Sequence, residues 1–373
     1  MSPTGLKLSL EACCERQKRI GRLLAERDLD FALLIRPEHV QYVTGFRPAA
    51  VHQAAVVVFP DGKTVLAAPN SLPDHFEANE VLVFEAQWCC TLRQDQLAAA
   101  LAAITSKCFR NLNGKRAGVE RSVNLLTLTP WFPPAQHSAV DIEPDLWNLR
   151  RCKDEDELVL IQHAIQCTDE MYYRAREIIV PGITEIEVYN QLHAAAMNFC
   201  GAPFLAFGND FQCNSPGGPP RTRPTQTGEL YILDLGVSCT GYYSDSCRTF
   251  SVDQCPTDEQ LRAAEHIERV LTFVEQSVRP GTSARELFIQ AKAMLDEAIP
   301  GGFFHHLGHG IGLFPHEAPH LNEHWDDHFQ PGDVFTAEPG LYSHALKAGI
   351  RLEQNYLITD SGATRLTNFP IDL

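Results

Sequence analysis

No stretch of the chain approaches the 18 or so consecutive apolar residues of a membrane span, and the opening segment MSPTGLKLSLEACCERQKR has no apolar run of signal-peptide length. Both absences lead to the expectation of a cytoplasmic protein. Positive charge is scarce as well, with 31 Lys and Arg against 47 Asp and Glu and a formal net charge of -16. Such a field repels phosphate, which argues against nucleic acid and anionic membrane as partners and leaves small molecules or peptides. The C-x-x-C spacing of redox and zinc motifs is missing. The 12 cysteines are scattered, with two vicinal pairs at Cys13-Cys14 and Cys89-Cys90, and fit free or buried thiols in a reduced compartment better than a disulfide framework. A length of 373 residues with 44% hydrophobic content is comfortable for two domains.

The first part of the chain alternates short apolar strands with helical stretches. Leu8 to Arg27 is expected to be a helix, and Asp30 to Ile35 a buried strand. Pro37 to Phe46 begins with a turn and helix start, and the apolar run Ala54 to Phe59 meets Thr64 to Ala68 through an Asp61-Gly62 turn. Val81 to Phe84 and Arg116 to Glu120 supply further strands and Gln94 to Ile104 a helix, which together indicate a small α/β domain. Gly-rich phosphate loops and nucleophile motifs are absent from it. A Pro-rich, linker-like stretch from Thr127 to Pro144 follows, so the domains are expected at 1–147 and 148–373.

The second part repeats itself. Val180 to Leu192 (VPGITEIEVYNQL) and Arg279 to Ala291 (RPGTSARELFIQA) share Pro-Gly, a Thr or Ser cap and a Glu three residues later, the signature of a capping box. Gln226 to Gly236 (QTGELYILDLG) is echoed by Gln330 to Gly340 (QPGDVFTAEPG), at an offset of 104 residues against 99 for the helix openings. Two similar helix-then-sheet units, packed as a pseudo-symmetric pair, follow from this repetition.

Each unit carries paired carboxylates. Tyr231 to Phe250 suggests a hairpin turning at Ser238 to Gly241, with Asp234 directly opposite Asp245. Carboxylates on neighbouring strands repel unless a cation lies between them; the bland alternative is two solvated Asp at strand ends. In the second unit Glu338 takes the place of Asp234, and Glu353, in the strand Gly349 to Ile358, takes that of Asp245. Duplication of the pair favours a metal. Between the repeats, Phe303 to Pro319 concentrates His305, His306, His309 and His316 among glycines, imidazoles suited to ligating metal or binding substrate. Four carboxylates and an imidazole, without thiolates, suit two divalent ions sharing a water of lowered pKa. Manganese is the first choice, with cobalt, zinc or iron also compatible. The chemistry implied is hydrolysis by attack of a metal-bridging hydroxide on a polarised carbonyl.

The D-x10-D hairpin, the H-x-x-x-H-G-I-G-L-x-x-H-E segment, the E-P-G strand and the R-x-E strand resemble the pita-bread metallopeptidases, and RLLAERDLDFALLIRPEHVQYVTGF resembles the N-terminal domain of their prolidase, aminopeptidase P and creatinase branch. The resemblance implies an α+β chain, a smaller creatinase-type α/β domain preceding a pseudo-two-fold pita-bread catalytic domain. By the same resemblance Asp234, Asp245, His309, Glu338 and Glu353 are the metal ligands and Glu338 also accepts a proton from the nucleophilic water. His316 contacts the substrate and the developing oxyanion, and His305 and Arg351 support the site. A homodimer acting on short peptides or small amides is implied too.

One departure stands out. Relatives of this branch carry a histidine about seventeen residues before the first Asp ligand, whereas here no histidine occurs between His193 and His266 and the stretch reads CNSPGGPPRTRPTQTG. Cys247, two residues after Asp245, is expected on the same face in a packing role. The leading expectation is therefore an Xaa-Pro dipeptidase or aminopeptidase. A hydrolase of a small non-peptide C-N bond, of creatinase or ectoine-hydrolase type, is the enzymatic alternative, and a chaperone-like binding module is the non-enzymatic one. The intact ligand set weighs against the last.

Overall fold

A computed structural model describes residues 6–109, 114–123 and 137–373. The chain divides into two compact units with the boundary between Leu149 and Arg150. Residues 127–136 of the Pro-rich stretch lie outside the described part.

The first unit is built on a six-stranded sheet in the order Glu80–Phe84, Thr64–Pro69, Ala55–Val58, Phe31–Leu34, Lys115–Val119, His137–Asp141. The sheet is mixed, with Phe31–Leu34 antiparallel to Ala55–Val58 and parallel to Lys115–Val119. Its central strands, FALL and AVVV, are buried at every position, as continuous apolar runs require when both faces of a sheet are covered. The helix Gln96–Cys108 covers one face, placing Leu101 and Ile104 in a cluster with Phe31, Leu33, Ala55 and Val57. His137–Asp141 corrects the linker expected from Thr127 to Pro144: it is a strand, parallel to Lys115–Val119 at the edge of the sheet. An edge strand has one partner only and needs no doubly buried apolar run, so HSAVD carried no strand signal.

The second unit has two similar halves. The first consists of the helices Glu155–Ile178 and Glu185–Cys200 and an antiparallel sheet in the order Ser246–Ser251, Leu230–Leu235, Asp210–Cys213. The second consists of the helices Asp258–Ser277 and Ala284–Ala298 and a five-stranded antiparallel sheet, Glu317–Leu321, Gly308–Gly310, Val334–Ala337, Gln354–Thr359, Gly362–Arg365. The repeated helix openings cap as their sequence suggests, Thr184 accepting from Glu187 N and Ser283 from Glu286 N; only Thr184 completes the reciprocal box. The cap residues also form equivalent bridges, Thr184 with Pro224 and Ser283 with His328. Each half buries its helices on its own sheet, with Tyr172, Leu192, Tyr231 and Leu233 in one cluster and Val270, Leu295, Phe335 and Tyr356 in the other.

The halves are joined where their hairpins meet. Glu353 N donates to Cys247 O at 3.0 Å, and Thr249 Oγ1 both accepts from Arg351 N at 3.1 Å and donates to Arg351 O at 3.0 Å. Arg248, only 1% exposed, binds the carbonyls of Phe369 and Pro370 at 2.8 and 2.9 Å and so seats the C-terminal segment on the same seam. Cys200 and Cys239 are joined as a disulfide, against the expectation of thiols throughout, and the ten other cysteines form no disulfide. The two bonded residues lie on separate segments, the end of a helix and a short turn strand, and pairing of that kind leaves no local spacing pattern. Among the described residues no helix is long and apolar enough to cross a membrane.

Candidate metal centre

The first hairpin places its carboxylates differently from the symmetric pairing expected of it. Asp234 stands opposite Cys247 and Leu235 opposite Ser246, so Asp245 is a diagonal neighbour of Asp234 on the same face. The cause is the position of the turn: Ser238 pairs with Tyr243 and Cys239 with Tyr242 in the same register as Asp234 with Cys247, so the chain reverses at Thr240-Gly241 and not about the centre of Ser238 to Gly241. The second hairpin also keeps one register throughout. Ala337 pairs with Gln354 and Gly340 with Arg351, and the shared register sets Glu338 directly opposite Glu353. The seam between the halves then brings all four carboxylates together.

His309 enters from the short strand Gly308–Gly310, whose flanking glycines are dictated by close approach: a Cβ at 308 would overlap Thr336 O and one at 310 would overlap Ala318 O. The ring's Nδ1 donates to Gly310 O at 3.1 Å, leaving the lone pair of Nε2 directed at Asp245 Oδ2, 3.7 Å away, and Glu338 Oε1, 3.8 Å away. That fixes the tautomer a metal ligand needs.

Two triads of ligand atoms, each within 4.8 Å of one another, share Glu353: Asp234 with Asp245, and His309 with Glu338. Asp234 Oδ1 and Glu353 Oε1 are buried without a hydrogen-bond partner, the orphaned acceptors that a cation would satisfy. Burial raises the pKa of all four carboxyls. For Asp245, Glu338 and Glu353 the mutual repulsion of the cluster adds to it and holds them well above the ordinary range. Asp234 is raised by burial against the opposing pull of Arg351. A divalent ion between these groups inverts that cost, so the donor set, oxygen-rich with one imidazole, fits hard or borderline divalent cations.

Around the carboxylates runs a hydrogen-bonded chain. Arg351 Nη2 donates to Asp234 Oδ2 at 2.8 Å and to Asp210, and Nη1 donates to the Tyr342 hydroxyl at 3.0 Å. That hydroxyl lies 2.9 Å from His305 Nε2, while His305 Nδ1 donates to His306 O at 2.8 Å. Burial and the nearby Arg351 hold the His305 pKa down to about 3, so its Nε2 accepts from Tyr342. Arg351, itself 7% exposed, is thus ion-paired to both Asp234 and Asp210 beside the carboxylate cluster. His316 stacks on His309, with ring centroids 3.7 Å apart, and lines the cleft. His306 Nδ1 lies 3.4 Å from Glu338 Oε1. Cys247 is fully buried with Ile232 and Tyr342, in the packing position expected of it.

Asp210 and Tyr342 were not singled out from the sequence. Tyr342 follows Glu338 by four residues in EPGLY, which is signal enough once Glu338 is placed. Asp210 had only its position among aromatic neighbours, FGNDFQ, to mark it.

Residues 159–360 match the family model of metallopeptidase family M24, and residues 16–152 match the creatinase/prolidase N-terminal domain. The chain belongs to metallopeptidase family M24. As a member it is a metallopeptidase with the pita-bread catalytic fold and the creatinase-type N-terminal domain, and its family implies divalent metal ions. An Xaa-Pro dipeptidase of Pyrococcus horikoshii is 26% identical over 359 residues, 95% of this chain and 97% of its own. Two solved structures share the fold of this M24 chain, each with a TM-score of 0.79: a prolidase from Pyrococcus horikoshii, 24% identical and covering 96% of this chain and 99% of its own, and an X-Pro aminopeptidase from Thermotoga maritima, 21% identical with the same coverage.

Proposed function

We propose that this M24 metallopeptidase holds two divalent ions, manganese by first choice, and hydrolyses Xaa-Pro bonds in short peptides. The observation that carries the reading is the pair of ligand triads sharing Glu353, with orphaned carboxylate oxygens on both hairpins. Asp234, Asp245, His309, Glu338 and Glu353 are the proposed ligands. When bound, the ions would supply an activated water and polarise the scissile carbonyl. The relatives named for Xaa-Pro cleavage support the substrate class. So does the cleft, about 260 Å3, below the roughly 300–1,000 Å3 typical of sites for drug-sized ligands.

The chain's own groups have these proposed roles. Glu338, within reach of His306 and His309, accepts a proton from the attacking water. His316, exposed on the cleft wall and stacked on His309, donates to the oxygen that gains charge at the carbonyl. Arg351 and Tyr342 hold Asp234 and His305 in place. The unit at 148–373 is the proposed catalytic domain, in a homodimer with the unit at 1–147 preceding it. Retention of the whole cage favours this reading over a small non-peptide substrate.

The test is hydrolysis of Xaa-Pro dipeptides, Xaa-Pro-Xaa peptides and Xaa-Ala controls by manganese-loaded protein. Cleavage confined to the proline peptides is expected. A loaded protein that binds two ions and cuts none of them refutes the substrate while leaving the site intact.

A further inference from the structure

Three sulfurs meet behind the first ligand hairpin. Cys167 comes from within the helix Glu155–Ile178, Cys200 ends the helix Glu185–Cys200, and Cys239 lies on the short strand Ser238–Cys239 beside the hairpin's turn. All three residues are buried, and their sulfur atoms lie within 4.8 Å of one another. Cys200 is bonded to Cys239, and the Cys167 sulfur stands 3.4 Å from that of Cys200. The Cys167 thiol donates to Ala196 O at 3.7 Å, and burial pushes its pKa up to about 12. A protonated thiol is thus held against a disulfide, and the metal chemistry of the cleft makes no use of it.

Such a thiol is one exchange away from a different pairing. Attack of the Cys167 sulfur, as thiolate, on Cys200 Sγ forms a Cys167–Cys200 bond and breaks Cys200–Cys239. The electron pair leaves on the Cys239 sulfur, which takes up the proton that Cys167 loses, so no outside oxidant is needed. Little thiolate is present at neutral pH, which puts the step on the slow scale of uncatalysed disulfide rearrangement, minutes to hours. The two pairings hold different parts of the fold. Cys200–Cys239 ties a helix to the turn of the hairpin that carries Asp234 and Asp245, whereas Cys167–Cys200 would tie the two helices together and release that turn. The same helix fastens the hairpin close to both ligands: Thr168 Oγ1 lies 2.8 Å from Ser244 Oγ, next to Asp245, and the Tyr172 hydroxyl binds Leu233 O, next to Asp234, at 3.3 Å.

We propose that Cys167, Cys200 and Cys239 form a thiol–disulfide exchange site in which Cys200 is the shared sulfur, and that the partner it takes sets how firmly the Asp234–Asp245 hairpin is held for metal. The exchange itself is independent of substrate and metal; its effect on the hairpin rests on the proposed cage. The external couple that fits the site is a small thiol and its disulfide, of the glutathione class. One molecule of that disulfide takes two electrons from a pair of protein thiols as their bond forms and leaves as two molecules of thiol; the reverse reaction opens the bond.

The experiment equilibrates metal-free wild type, Cys167→Ser and Cys239→Ser in a glutathione redox buffer, quenches with acid, alkylates the remaining thiols and maps the bonds by peptide mass spectrometry. Wild type is expected to yield both the Cys200–Cys239 and the Cys167–Cys200 peptides, Cys167→Ser only the first and Cys239→Ser only the second. Absence of the Cys167–Cys200 peptide from wild type or from Cys239→Ser overturns the exchange site; the wild-type map, which needs no substitution, decides it if a variant fails to fold. Calorimetry with Mn2+ then reads the effect on the hairpin. Oxidised Cys167→Ser, with the hairpin tied, should bind Mn2+ about tenfold more tightly than oxidised Cys239→Ser, with the tie moved, the usual scale of coupling between two sites. Equal affinities overturn the link to the hairpin and leave the exchange standing. Absence of Mn2+ binding in all three proteins refutes the cage and the link together, while the peptide map still decides the exchange.

Discussion

The two hairpins that face each other in the catalytic unit hold the same kind of carboxylate pair in different ways. In the first, the turn at Thr240-Gly241 sets Asp234 opposite Cys247, so Asp234 and Asp245 are diagonal, and Arg351 supplies a counter-charge at 2.8 Å from Asp234. In the second, Glu338 and Glu353 are opposed in a regular register, and burial and repulsion raise both carboxyls far above the ordinary range. Asp234 is partly neutralised by protein, whereas Asp245, Glu338 and Glu353 depend on what binds. The proposed demand for metal therefore centres on Glu353, the carboxylate common to both triads.

The comparison breaks most visibly at Glu353. Replacing it with Gln keeps the shape and removes the charge common to both triads; kcat/KM is expected to fall roughly a thousandfold, with metal content dropping towards one ion per chain by elemental analysis. Arg351→Ala strikes the compensated half instead. It leaves Asp234 buried and Asp210 half-buried without their cation, so stability should fall by about 3–5 kcal/mol in denaturant melts and activity by about a hundredfold. The two variants should thus separate, the first losing metal and activity at modest cost in stability, the second losing both stability and activity.

The pH dependence sharpens the same contrast. The raised carboxyls keep protons in the folded metal-free protein at pH values where the unfolded chain, at the ordinary 3.8 for Asp and 4.5 for Glu, has released them. Folded protein then binds more protons than unfolded, and stability falls as pH rises through that window, by up to about 1.4 kcal/mol per unit for each group. Thermal melts of metal-free protein should therefore show Tm falling from pH 5 to 8, with manganese raising Tm more at pH 8 than at pH 5. An unchanged Tm across that range contradicts the charge assignment. Smallest is Tyr342→Phe, which uncouples His305 from Arg351; about a tenfold loss in kcat and about 1 kcal/mol of stability are expected.

Most of this centre could be read from the chain because its parts are local and repeated. Asp234 lies on a strand and Glu338 and Glu353 lie in short gaps between strand segments of recognisable pattern, and the glycines around His309 reflect backbone contacts that only glycine permits. What escaped depends on partners distant in sequence. Asp210 meets Arg351 across 141 residues, the diagonal placing of Asp245 comes from a turn one residue further along than the pattern suggests, and the Cys200–Cys239 bond joins separate elements. The edge strand His137–Asp141 escaped for a different reason, since its single partner imposes no apolar pattern on it.

Titration of metal-free protein with Mn2+, read by calorimetry and by metal analysis of the loaded chain, tests the shared-carboxylate cage most directly. Two ions bound per chain in the wild type, and about one in Glu353→Gln, are expected of two triads that share one carboxylate. Fewer than one ion per chain in the wild type, or two retained in Glu353→Gln, contradicts the cage.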